Sequence, residues 1–167
     1  MTTGTVTTFE ASLERLDVDW THTTRGGLVD VLEAVVERPA VGTLLPFDVS
    51  LPDWVKTEPT PRDIDEATTG ITAAGLGIAN YGSVVLPSTP EGTEPVSLFP
   101  DLHVAVLRTD DVVDGMPEAF DALGEQIRGG PHSSAIIATG PSATADMGSL
   151  VKGAHGPKDV HVVMLDE

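Results

Sequence analysis

The stretch SLFPDLHVAVLRTDDVV, residues 97–113, decides the fold. Leu102 to Leu107 is a near-continuous apolar run with the length of a buried strand, and Asp110 is placed to open a helix carrying Val113, Phe120, Leu123 and Ile127. The pattern repeats downstream in SSAIIATGPSATADMGSLVKG, residues 133–153, with Ala135 to Ala138 as strand and Thr144 to Val151 as helix. DVHVVMLDE, residues 159–167, supplies a last strand. Alternation of strand and helix predicts an α/β fold, a mainly parallel sheet with helices on both faces.

Upstream, Thr7 or Thr8 is placed to cap a first helix through roughly Asp17, with Phe9, Leu13 and Leu16 on one side. A second helix follows in GGLVDVLEAVVERP, residues 26–39, where Leu28, Val31, Leu32, Val35 and Val36 form a stripe and Pro39 enforces the stop. Val41 to Leu45 reads as a strand. Pro46 to Pro61 reads as an ordered connection anchored by Phe47 and Trp54, and GITAAGLGIANYGSVVLPS, residues 70–88, as two strands broken at Asn80, Tyr81 and Gly82. A chain of 167 residues with no repeat and no low-complexity tract is expected to form one domain, 1–167.

Charge narrows the partners. Nine Lys and Arg stand against 26 Asp and Glu, a formal charge of −17 with pI near 4.3, which excludes a general electrostatic grip on nucleic acid or anionic lipid. A mean hydropathy of +0.06 with 40% hydrophobic residues is the mark of a folded chain with an acidic surface. Lys56, Lys152 and Lys158 are the lysines. Such a surface suits high salt, where the Debye length falls to roughly 3 Å at 1 M and repulsion among carboxylates is screened. A halophilic setting predicts a melting temperature that climbs with KCl; a flat one overturns it.

The chain has no cysteine, so it offers no thiolate nucleophile and no sulfur ligand for an iron–sulfur cluster. Any redox centre is expected on a partner, with no cofactor on this chain. No histidine pair has metal-ligand spacing, so no metal site is expected, and neither a P-loop nor a dinucleotide fingerprint occurs. The N-terminus lacks a basic segment before an apolar one, and no apolar run reaches the 18 or so residues of a membrane span, which predicts a cytoplasmic protein.

Chemistry concentrates in ATGPSATAD, residues 138–146, where a strand ends in a turn at Gly140 and the hydroxyls of Ser142 and Thr144 precede the expected helix. Free N–H groups there hold a phosphate or carboxylate, or the hydroxyls simply cap the helix. Asp146 suits the helix dipole and opposes an anion. In GAHGP, residues 153–157, His155 ends the same expected helix, either as proton donor and anion contact or as a cap bonding a carbonyl. His103 and His161, inside strands, read as hydrogen-bonded structural histidines; His22 and His132 have loop surroundings.

The run IIATGPSATADMGSLVKGAHGPKDVHVVMLD, residues 136–166, resembles the signature of the LUD domain of the LutC/YkgG, or lactate utilization protein C, family. Two upstream segments join it: GIANYGSVVL, similar to the family's A-E-T-G-T segment, and LFPDLHVAVL, similar to its P-x-x-H-I-x-V strand. The resemblance covers about Gly70 to Glu167. It implies a three-layer fold similar to sugar-phosphate isomerases and CoA-transferases, and work beside iron–sulfur and oxidase-like partner subunits in oxidising L-lactate. By residue it points to Ser142, Thr144, Asp146, His155, Gly156 and His103. Where the family has Glu-Thr, this chain has Asn80 and Tyr81, with Ser83 at the final Thr. An amide is neither a carboxylate nucleophile nor a general base, although Asn80 still donates and accepts hydrogen bonds.

The expectation is therefore an accessory subunit of a lactate-oxidising complex, binding a small anion or a partner at a face formed by Asn80, Ser83, His103, Gly140, Ser142, Thr144, Asp146, His155 and Gly156. No residue is assigned a catalytic role. The alternative is an independent enzyme or binding protein for a sugar phosphate or acyl-CoA, with Ser142 and Thr144 on the phosphate and His155 moving a proton.

Overall fold

The computed structural model describes residues 3–130, 134–146 and 148–166, and the side chains of Ala145 and Asp146 lie outside the described set, as does His132. In chain order the first half runs α1 (Thr3–Arg15), β1 (Asp19–Thr24), α2 (Leu28–Val35), β2 (Ala40–Gly42), β3 (Val55–Lys56), α3 (Pro61–Glu66), β4 (Thr69–Ala74), β5 (Leu76–Ile78) and β6 (Ser83–Pro87). The second half runs α4 (Thr93–Leu98), β7 (Leu102–Arg108), β8 (Val112–Val113), α5 (Met116–Gly129), β9 (Ala135–Thr139), β10 (Ala143–Asp146), β11 (Ser149–Lys152) and β12 (Asp159–Asp166).

Six strands form the central sheet in the order β1-β12-β7-β4-β2-β3, and every pair in it is parallel. Alternation along β7 and β12 divides the core. Val104, Val106, Val163 and Leu165 face α2, packing with Leu28, Leu32, Phe47 and Val55. Ala105, Leu107, Val162 and Met164 face the other way, against Phe9 and Leu13 of α1. Residues 46–61 are ordered as expected: Phe47 is buried, Trp54 donates its indole N–H to Glu33 at 2.6 Å, and the Arg38 guanidinium lies 4.2 Å from the Trp54 ring centroid.

On the α1 side lies a second sheet, ordered β8-β5-β6-β9, which the sequence does not announce. Val84 and Leu86 of β6 join the central core, while Leu76, Ile78 and Val85 face outward against Ala119 and Leu123 of α5. The 70–88 segment thus holds three strands. β4 belongs to the central sheet, and β5 and β6 form the expected hairpin around Asn80 to Gly82.

Four boundaries differ from the sequence reading. The strand expected over Val41 to Leu45 is confined to Ala40–Gly42. α1 begins at Thr3, and Thr8 sits inside it with its hydroxyl donating to the Gly4 carbonyl at 2.8 Å, a back-bond within the helix that replaces a cap. The helix expected from Asp110 starts at Met116, with Pro117 in its first turn. Val112 and Val113 are held as strand by pairing with Gly77 and Ile78.

The last difference is the largest. Residues 144–151 are not a helix but the antiparallel hairpin β10-β11, with Thr144 opposite Val151. Gly140, Gly148 and Gly153 all take left-handed φ values of +67, +79 and +74°, which interrupts any helix at both ends. Ser142 fixes the base of the hairpin: its N–H donates to the Pro157 carbonyl and its carbonyl accepts from Gly153 N–H, both at 2.8 Å. Leu150 is 70% exposed, so the apolar residues here project outward instead of forming a buried stripe.

Candidate functional site

The amino ends of β7 and β12 meet the carboxyl end of β9 around a cavity of about 390 Å³. Leu13, Val84, Leu86, Val160 and Val162 make its apolar wall, and the turn Gly140 to Ser142 and the segment His155 to Pro157 make its rim. His103, the second residue of β7, also lines it.

Five sequence-predicted residues converge there: His103, Gly140, Ser142, His155 and Gly156. Ser83 lies one layer behind, buried, its hydroxyl 2.7 Å from that of Thr139, which lines the cavity. Asn80 does not join them. It is exposed on the β5-β6 turn with its N–H on the Asp114 carbonyl at 3.1 Å. Thr144 is exposed on the hairpin and outside the lining, and the Asp146 side chain is outside the described set. Because no helix starts at Thr144, the expected anion site of helix N–H groups is absent. The same change removes the helix end that was to favour a charged His155.

His103 is 2% exposed. Burial pushes its imidazole down to about 4, so at neutral pH it is an uncharged hydrogen-bonding group and does not act as a cationic anion holder. Its Nε2 lies 2.8 Å from the Thr72 hydroxyl. Thr72 was missed in the sequence, where its only signal was a polar residue alternating with apolar ones on a buried strand. His155 is exposed, and its backbone N–H donates to Ser142 Oγ at 3.4 Å. Gly156 is needed for closeness, since a Cβ there stands 3.1 Å from Ser142 Cβ.

Among the described lining residues there is no Asp, Glu, Lys or Arg. The lysines that flank the rim segments are committed elsewhere, Lys152 to Asp17 at 3.0 Å and Lys158 to Asp101 at 2.8 Å. The site is therefore apolar with a few hydroxyls, rim backbone and two imidazoles. It suits a small molecule with few polar groups. Among the described residues no cluster of three or more histidine and carboxylate side chains is placed to hold a metal ion, and no helix is long and apolar enough to cross a membrane.

Fold and cavity together define a parallel-sheet α/β protein with an apolar cavity between two sheets. The chain belongs to the LUD domain family, whose sequence model matches residues 5–165. The match extends well upstream of Gly70, into α1. Similar proteins include lactate utilization protein C of Bacillus velezensis, 32% identical over 127 residues, which are 72% of this chain and 53% of that protein. Lactate utilization protein C of Deinococcus radiodurans is 29% identical over 117 residues, 68% of this chain and 54% of that protein. The chain thus spans about half the length of these relatives. A crystal structure of a DUF162 family protein from Deinococcus radiodurans superposes with a TM-score of 0.72 over 97% of this chain and 96% of that one, at 20% identity, and confirms the fold.

Proposed function

We propose that this protein serves lactate utilization as an accessory subunit, working with iron–sulfur and oxidase-like partners that carry the electrons. The observation that carries this reading is the meeting of the signature residues His103, Gly140, Ser142, His155 and Gly156 at one cavity, in a chain whose relatives are named for lactate utilization. The lack of any cysteine fits a chain that leaves redox chemistry to others.

The cavity favours this reading over a sugar-phosphate or acyl-CoA enzyme. A phosphate needs cationic side chains or a helix N-terminus, and the described lining offers neither. A single carboxylate asks for less. The rim hydroxyl of Ser142 and a ring N–H of His155 supply a donor pair for the carboxylate of L-lactate, with its methyl group against the apolar wall.

Deletion of the gene in the native host is expected to block growth on L-lactate while leaving growth on pyruvate intact, and the tagged protein is expected to co-purify with a cysteine-rich iron–sulfur protein. Normal growth on lactate overturns the proposal. At the residue level, L-lactate titrated into the isotope-labelled protein should shift the amides of Gly140, Ser142 and Gly156. His155→Ala should weaken that binding about tenfold, the loss of one charge-assisted hydrogen bond.

A further inference from the structure

A second crevice, of about 300 Å³, opens at the opposite end of the central sheet from His103, at the carboxyl ends of β2 and β4. The chain leaves these neighbouring strands toward opposite faces. After β2, Leu45 and Phe47 pack on the α2 side, whereas after β4 the chain enters β5 and the second sheet, where Ala79 and Val84 pack on the α1 side. Adjacent strands whose connections diverge in this way leave a gap between the two departing loops, and ligands of open α/β sheets bind in such gaps.

The independent observation is Thr43. It is 2% exposed, it lines the crevice, and its backbone is pinned by its N–H on the Ile71 carbonyl at 3.0 Å. Every other buried polar side chain among the described residues hydrogen-bonds to protein. The Thr43 hydroxyl has no such partner among the described residues. Its oxygen is not one of the fully buried atoms left without a partner, so it is open to the crevice and takes its partner, water or a ligand, from there.

The rest of the lining states what that is. Leu45, Phe47, Ala74 and Pro87 give an apolar wall, while Glu91 and Asp111 supply negative charge and no Lys or Arg is present among the described lining residues. We propose that this crevice is a second ligand site, for a small alcohol or amine with a short branched carbon body, which the Thr43 hydroxyl recognises. Carboxylates are disfavoured because Glu91 borders the site and Asp111 already engages Arg108, its Oδ2 3.6 Å from Nε, so no cation in the described lining is left for an incoming anion. The site therefore disfavours lactate, and it is independent of the function proposed for the first cavity.

The test is a titration of the isotope-labelled protein with isobutanol, isobutylamine and isobutyrate, read at the amides of Thr43, Ala74 and Gly75. The alcohol or the amine is expected to shift these amides and isobutyrate to leave them unmoved. Thr43→Val keeps the shape, removes the hydroxyl and should weaken binding about tenfold, while Thr43→Ser keeps the hydroxyl and should retain it. The proposal is overturned if neither the alcohol nor the amine moves these amides, which means that water alone occupies the crevice. Equal binding by Thr43→Val, or binding of isobutyrate as strong as that of its neutral analogue, overturns it as well.

Discussion

Gly70→Ala is expected to lower the melting temperature by 10 °C or more, on the order of 3 kcal/mol or above, as read by thermal unfolding monitored by circular dichroism. Gly70 lies in β4, opposite His103 of β7. A Cβ built on it stands 1.8 Å from the Val96 carbonyl oxygen and 3.1 Å from Pro100 Cγ. The first clash is with backbone, so no rotamer change relieves it. Either α4 moves off the sheet or β4 bends, and both disturb the buried Val96. Ser97 and Leu98 of the same helix line the first cavity, so a folded remnant of this variant should also lose ligand binding there.

The second large effect is an acid-sensitive stability carried by His103. In the unfolded chain its imidazole titrates near 6.5, and in the folded protein burial lowers it to about 4. Between these values the unfolded state holds a proton that the folded state lacks, so stability is highest above 6.5 and falls as the pH drops through the window. The difference is worth up to about 3 kcal/mol for this fully buried group. His103→Gln keeps a partner for Thr72 but cannot titrate. Its unfolding free energy, measured by urea melts from pH 7 to pH 4, should fall less steeply than that of the parent. Parallel slopes would refute the assignment.

His22 works in the opposite direction. Burial lowers its pKa, but hydrogen bonds to Glu10 and Asp166 outweigh that and raise it. Its contribution is present below the unfolded value of 6.5 and is lost as the pH rises through the folded value. Comparing the His103 variant with its parent cancels this background, because His22 is unchanged in both.

Much of the architecture was legible from periodicity. The apolar run at 102–107, the stripe Leu28 to Val36 and the C-terminal strand each bury a set of side chains large enough to dictate a local form, and all three stand where expected. The hairpin at 143–152 was not legible. Thr144, Ala145, Leu150 and Val151 have spacing compatible with either form, and left-handed glycines with the Ser142 to Pro157 and Gly153 hydrogen bonds settle it.

The candidate site shows the same division. Sequence alone singled out Gly140, Ser142, His155, Gly156 and His103 as candidates, by residue type and by motif. Tertiary structure decided that these five share a cavity while Asn80 and Thr144 face away from it. It also decided that His103 is uncharged, since burial is a property of everything packed around a residue and none of it is written beside the residue in the chain. Thr43 is the extreme case. Nothing in VGTLL distinguishes its hydroxyl, and only the divergence of two loops from neighbouring strands leaves it buried at a crevice without a partner among the described residues.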